Sequence, residues 1–353
     1  MARAVPAVKK YREGWPDAGT RFDWTMVALS GWLVIGAHID AWAHINIPNL
    51  ETFFTPWHGI LYSGYAALAV FMLLTLGRNH AAGYPWDRAL PLGYRTALFG
   101  IIIFAFSGAG DLIWHSIFGI EANLDALLSP THLLLALGAG LMVSGPLRAA
   151  WMRPKPATGL VGHLPQLLSL TYVLALLAYM TQWAHPFGFV WAMEGTRPAS
   201  ASGAYQPQAI GVLSVLLQSG ILVGLVLPAA LRQALPSGSL TLILGLSTVF
   251  ITSMRARVLE TGPNVLIVVA VLGGVAADLL LRLLQPSATR RSALRAFAFA
   301  VPVVLYTLYF LALVLAGGIW WSVHMVTGTI VLAGIVGWLL SNLAVPPIIS
   351  PSP

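Results

Sequence analysis

Long apolar runs separated by short polar segments recur along the whole chain. An α-helix needs about 20 mainly apolar residues to cross the hydrocarbon core of a bilayer. About ten runs are candidates, centred near residues 34, 68, 105, 141, 174, 220, 246, 273, 305 and 330. The pattern predicts an all-α polytopic membrane protein with about ten transmembrane helices.

The composition agrees with this pattern and excludes a soluble domain. Of 353 residues, 58% are hydrophobic and 9% are charged, and the mean hydropathy is +0.79. The first apolar run begins near Phe22 without a small-residue cleavage site after it, so we expect this span to remain in the mature chain. Cysteine is absent, which excludes disulfides and thiolate ligands. Any metal ion must therefore bind imidazole, carboxylate or thioether groups.

The basic residues indicate a topology rather than a nucleic-acid partner. Sixteen of the 19 Lys and Arg residues fall on one side of a ten-span arrangement, and only Arg197, Arg255 and Arg257 fall on the other. Cytoplasmic loops are enriched in Lys and Arg. We therefore expect a multi-pass protein of the cell membrane, in contact with the lipid bilayer, with both termini in the cytoplasm.

The runs divide the chain into four predicted parts. Residues 1–22 form a cytoplasmic tail, residues 23–148 a four-helix module, residues 149–345 a six-helix membrane bundle, and residues 346–353 a disordered tail. The four-helix module contains most of the His, Asp and Glu residues that could take part in binding or catalysis. On the predicted topology, these residues lie toward the outer face.

Two segments of the four-helix module carry nearly the same polar pattern. Each has an Asp followed four residues later by a His, and then a Thr or Ser, a Pro, one further residue and a second His. The two sets are Asp40, His44 and His58, and Asp111, His115 and His132. A spacing of four places each Asp and His on one helical face. The Thr-Pro or Ser-Pro pair predicts a helix start that presents the second His, so the pattern predicts a tandem helical-hairpin repeat.

One carboxylate and two imidazoles in each set predict a mononuclear or dinuclear metal site. This ligand combination is used by non-haem iron oxygenases, and it also suits copper and zinc. Further candidates, as additional ligands or as residues that orient the ligands, are Glu51, Glu121, Asp125, His38, His185 and His324. A structural interpretation is also open, in which each Asp hydrogen-bonds its His and each Pro-x-His segment is only a helix cap.

The paired pattern resembles the C subunit of the copper membrane monooxygenases, the particulate methane and ammonia monooxygenases. The resemblance covers roughly residues 30 to 140, and Asp111 stands where that family has Asn. It implies that Asp40, His44 and His58 bind one copper ion. By the same resemblance, the second set takes the role of the neighbouring site. A small apolar substrate, O2, and additional subunits or an electron donor are implied as partners.

Two other functions remain open on the sequence. One is a metal permease or metal-site assembly factor, and the other is a structural or haem-binding membrane subunit. No phosphate-binding loop, dinucleotide fingerprint, HExxH motif or nucleophile elbow is present. The leading hypothesis is a copper oxidoreductase, with iron or zinc as the alternative metal.

Overall fold

A computed structural model describes residues 11–17, 19–47, 54–119, 123–154, 157–255 and 264–346. Within these ranges the protein is all-α, and its β-structure is limited to an isolated bridge between Met193 and Ile319. The α-helices in chain order are α1 Gly19–Asn46, α2 Pro56–Ala81, α3 Arg95–Phe118, α4 Asn123–Leu128, α5 Pro130–Val143, α6 Gly145–Met152, α7 Gly159–Met180, α8 Tyr205–Arg232, α9 Ser239–Met254, α10 Asn264–Leu284, α11 Arg291–Gly317 and α12 Val323–Ala344.

The predicted polytopic membrane fold is confirmed. In the described part of the chain, nine helical segments are long and apolar enough to cross a membrane, with α5 and α6 together forming the segment Pro130–Met152. The predicted span near residue 246 corresponds to α9, which is apolar but has only 16 residues. Every predicted run is therefore helical, and one of them is shorter than a typical span.

Two helical hairpins form the N-terminal part of the protein, α1 with α2 and α3 with α5. Each hairpin contains a glycine where the two backbones approach closely. A Cβ atom on Gly64 of α2 would lie 2.8 Å from the Leu33 nitrogen, and one on Gly138 of α5 would lie 2.9 Å from the Phe104 nitrogen. Gly64 and Gly138 each lie six residues after the second His of their set, so the two hairpins share an equivalent contact.

Helix α7 connects these hairpins to the C-terminal bundle. It packs against α1, α5 and α6 of the N-terminal part and against α8 and α9 of the C-terminal bundle. One buried apolar cluster includes Met26, Leu68 and Met142, and a second is built mainly from α7 to α12. The predicted division between residues 148 and 149 falls within α6. Residues 347–353 lie outside the described ranges, so the predicted tail is described only at Pro346.

A buried charge joins the elements at the end of the hairpins away from the histidines. Asp23, in the first turns of α1, is 1% exposed and accepts a hydrogen bond of 2.6 Å from the Tyr94 hydroxyl. The Arg153 guanidinium also donates to this carboxylate. Burial beside Asp23 raises the pKa of the Tyr94 phenol, which keeps that phenol protonated as the donor. The contacts fix the start of α1 to the start of α3 and the end of α6.

The close backbone contact at Gly138 predicts a large effect of one methyl group. In Gly138→Ala, the new Cβ meets the Gly100 oxygen and the Phe104 nitrogen of α3, both 2.9 Å away. We expect overpacking to lower the free energy of unfolding by about 1–3 kcal/mol. Thermal unfolding in detergent measures this change.

The matched control is Gly140→Ala, on the same helix, where nothing lies within 4 Å of the new Cβ. We expect this variant to be neutral or more stable by up to about 1 kcal/mol, because alanine favours the helix. Equal unfolding temperatures for the two variants would contradict the packing argument.

Candidate metal centre

The first Asp/His group lies where α1 ends and α2 begins. Asp40 and His44 are one turn apart on α1, and His58 lies in the first turn of α2, where the Thr55 hydroxyl caps the helix by accepting from the His58 backbone nitrogen. The Asp40 Oδ2 atom is 3.8 Å from His44 Nε2 and 3.4 Å from His58 Nε2. Asp40 and His58 are each 6% exposed, whereas His44 lies at the surface of the protein.

The second group repeats this arrangement between α3 and α5. Asp111 and His115 are one turn apart on α3, and Ser129 caps α5 by accepting from the backbone nitrogen of His132. The Asp111 carboxylate is 3.5 Å from His115 Nε2, through Oδ2, and 3.7 Å from His132 Nε2, through Oδ1. Asp111 is 1% exposed, so this carboxylate is buried almost completely.

The hydrogen bond at His115 identifies which ring nitrogen carries the proton. His115 Nδ1 lies 3.1 Å from the Gly119 carbonyl oxygen, which can only accept. Nδ1 is therefore the donor, and in the neutral ring Nε2 carries a lone pair directed at the Asp111 carboxylate. In that state two acceptors face each other across 3.5 Å, and a proton or a metal cation between them would satisfy both. Metal-bound histidines commonly donate their other ring nitrogen to a carbonyl in this way.

The two groups open onto the same internal cavity. The space in this cavity that the centre of a water molecule can reach is about 60 Å³. Asp40, His58, Asp111 and His132 all line it. The remaining lining is mostly apolar, and it includes Leu33, Ala37, Leu61, Phe104, Leu127, Leu135, Ala136, Ala139, Leu176 and Met180. Asp40 lies within electrostatic reach of Asp111 and His115. The cavity therefore brings both carboxylates and one histidine of each group to one place.

The residues present fit a bound metal ion. In each group, one ligand atom from each of the three residues lies within 4.8 Å of the others. Donor atoms that bind one ion at about 2.0–2.2 Å lie about 3–4 Å apart, which matches the measured distances. In addition, Asp40 Oδ1 is buried and has no hydrogen-bond partner among the described residues. Leaving such an oxygen unsatisfied is costly, and an ion would satisfy it.

The described residues among the other sequence candidates belong to neither of these two groups. Asp125 is exposed on α4, and His324 is exposed in the first turn of α12. His38 is buried, donates from Nδ1 to the Val34 carbonyl at 2.8 Å and packs against Phe250. Glu51 and Glu121 lie outside the described residues.

Two tyrosines that the sequence analysis did not single out line the cavity. Tyr62 lies four residues after His58 on α2, so helical spacing alone is a signal for it. Tyr179 comes from α7, and its phenol lies within electrostatic reach of Asp40 and Asp111. No local sequence pattern indicates Tyr179, because its position depends on how α7 packs against the hairpins.

No family model, curated protein or solved structure matches this chain.

His185 lies in a different cavity from the two Asp/His groups. This cavity, of about 40 Å³, is also lined by Gln218, Thr248 and Tyr306. His185 Nδ1 accepts from the backbone nitrogen of Phe187 at 3.1 Å. Burial away from water lowers the pKa of His185 from 6.5 to about 3. The folded protein therefore holds this ring neutral.

The lowered pKa of His185 predicts a loss of stability in mild acid. Below pH 6.5 the unfolded chain binds a proton at this ring and the folded chain does not, so stability falls as the pH falls from 6.5 toward 3. The slope from this group is about 1.4 kcal/mol per pH unit. In His185→Gln we expect a shallower fall between pH 6.5 and 4.5. Denaturant unfolding of both proteins in detergent across this range tests it, and parallel curves would exclude the effect.

Proposed function

We propose that this chain is a membrane metalloprotein whose two Asp/His groups hold an ion or a pair of ions, and that it acts as a copper-dependent oxidoreductase of the monooxygenase type. The observation that carries the proposal is the shared cavity, onto which both buried carboxylates and histidines from both hairpins open. Intramembrane ionisable groups are costly and mark functional sites by default. Here they are collected at one place.

The choice of metal follows from the donor atoms. Each group offers two imidazole nitrogens and one carboxylate, and copper has the highest intrinsic affinity among divalent first-row metals for such donors. Iron is the first alternative, because two histidines and a carboxylate form the facial ligand set of non-haem oxygenases. Zinc is the second. Copper or iron, when bound, supplies the redox chemistry that an oxygenase requires.

The cavity favours a small apolar substrate. Its walls are leucine, alanine, methionine and phenylalanine side chains, and the polar groups are concentrated at the carboxylates, the histidines and the two tyrosines. A molecule that partitions into the bilayer can reach such a site without crossing water. The phenols of Tyr62 and Tyr179 line the same cavity and lie within electrostatic reach of both carboxylates.

The distribution of Lys and Arg supports an outer location for this centre. With both termini in the cytoplasm, the ends of α1 and α3 and the starts of α2 and α5 face outward. At the opposite end of α1, Asp23 is engaged by Arg153 and Tyr94 rather than open to a polar route. This arrangement favours a redox site over a permease.

Loss of both carboxylates should abolish metal binding. We expect the purified wild-type protein to contain one or two equivalents of copper or iron by elemental mass spectrometry, and the Asp40→Ala, Asp111→Ala double variant to contain none. The control is Asp87→Asn, which alters an exposed carboxylate outside the centre and should retain the metal.

The absence of stoichiometric metal in wild type after reconstitution with copper, iron and zinc would overturn the metalloprotein proposal. A Soret band in the same sample would instead identify a haem protein. Size-exclusion profiles of the variants show whether each one keeps its fold.

Filling the cavity should separate substrate access from metal binding. Ala136 lines the cavity on α5, whereas the adjacent Leu137 is 50% exposed on the outside of the same helix. We expect Ala136→Phe to keep its metal and to lose substrate-dependent oxygen consumption at least about tenfold, since one ring occupies much of the cavity. Leu137→Phe should behave as wild type. An oxygen electrode, with a series of small hydrocarbons as substrates, measures both; equal rates would place the substrate elsewhere.

A further inference from the structure

The two Asp/His groups differ at a position next to the second His. The residue directly before the second His is Thr131 in one group and Trp57 in the other. The Thr131 hydroxyl donates a hydrogen bond of 2.7 Å to Asp111 Oδ1. Trp57 instead packs its ring edge against Trp42, at 6.0 Å between ring centres, and Asp40 Oδ1 is left without a hydrogen-bond partner among the described residues.

Thr131 belongs to a chain of hydroxyl groups that reaches the second His of its group. Ser129 Oγ lies 2.5 Å from His132 Nδ1 and 3.3 Å from Thr131 Oγ1. Because the Thr131 proton is committed to Asp111, Thr131 Oγ1 accepts from Ser129. Ser129 in turn accepts from His132 Nδ1. We call this series, His132–Ser129–Thr131–Asp111, the hydroxyl relay.

The hydroxyl relay sets the tautomer of His132. With Nδ1 as the donor, the Nε2 atom of a neutral His132 carries a lone pair on the side facing Asp111, 3.7 Å from its Oδ1. His115 is held in the same tautomer by the Gly119 carbonyl. All three ligands of this group therefore have a hydrogen bond that fixes their orientation. In the other group, Thr55 contacts His58 Nδ1 at 3.3 Å, and the position that would continue the series is occupied by Trp57.

We propose that the hydroxyl relay makes the Asp111 group the tighter ion site of the centre, with Thr131 as a positioning residue. The inference rests on the proposed metalloprotein function. Ligands held in place before binding lose little freedom when the ion arrives, and loss of a hydrogen bond to a ligand typically weakens metal affinity about 10–100-fold. The Asp40 group keeps one carboxylate oxygen open, so it binds more weakly and can change between one-oxygen and two-oxygen coordination.

Two full-length double variants isolate the groups for measurement. Asp40→Ala, His44→Ala leaves only the Asp111 group, and Asp111→Ala, His115→Ala leaves only the Asp40 group. Each is titrated with Cu(II) in competition with a chelator of known affinity. We expect the Asp111 group to bind Cu(II) at least about tenfold more tightly.

Replacement of Thr131 then tests the cause of the difference. Thr131→Val preserves the shape of the side chain and removes the hydroxyl, so we expect Cu(II) affinity to fall about 10–100-fold where only the Asp111 group remains. The same replacement should leave the Asp40 group unchanged, which makes that protein the matched control. Thr131→Ser restores the hydroxyl and should restore affinity, which a purely structural defect would not.

Electron paramagnetic resonance provides a second measurement. Cu(II) bound to the Asp111 group should show hyperfine coupling to two imidazole nitrogens, and Thr131→Val should reduce the coupling from one of them. Equal affinities of the two groups, or an unchanged affinity and spectrum in Thr131→Val, would overturn this inference while leaving the metalloprotein proposal intact. Failure of the wild type and both double variants to bind Cu(II), Fe(II) or Zn(II) would overturn both.

Discussion

The candidate centre depends on buried lone pairs that face each other. Asp111 is almost completely buried, and the Nε2 atom of His115 that faces it has no proton when the ring is neutral. Asp40 lies within electrostatic reach of Asp111, so two carboxylates share a region of low dielectric constant. Such a cluster is stable only when positive charge enters it, either as protons or as a metal ion. The surrounding helices hold these groups together despite their repulsion.

The hairpins supply that rigidity. In a membrane the backbone must satisfy its own hydrogen bonds, so the chain is helical and its polar side chains are placed by helix ends and helix crossings. The Gly64 and Gly138 contacts bring the paired backbones close together. The Thr55 and Ser129 caps fix the start of each second helix, and so the position of the His in its first turn. The Asp and His side chains of the two groups are consequently positioned by the same features that make the hairpins pack.

Much of the fold and the two Asp/His groups could be predicted from the sequence because the signals are local. The length of an apolar run indicates a span, a spacing of four places Asp40 with His44, and a Thr-Pro or Ser-Pro pair marks a helix start. Helical spacing also explains why His38 is not part of the first group. His38 lies two residues before Asp40, which corresponds to a rotation of about 200° around the helix, so its side chain points away from that of Asp40 and packs against Phe250. Tyr179 and the separate cavity of His185 depend on the packing of α7, α8 and α11, for which the sequence contains no local pattern.

A difference at one position gives the two Asp/His groups different surroundings. Thr131 and Trp57 occupy the same place relative to their caps, yet one side chain hydrogen-bonds the carboxylate and the other packs against a neighbouring ring. A hydroxyl at this position completes the orientation of all three ligands, whereas an indole leaves a carboxylate oxygen open. Groups built from the same residue types can therefore differ in the hydrogen bonds of their carboxylates. In the proposed centre, the Asp111 group would retain its ion, because its side chains are held by hydrogen bonds, while the open oxygen of Asp40 would accept a proton or a second mode of coordination.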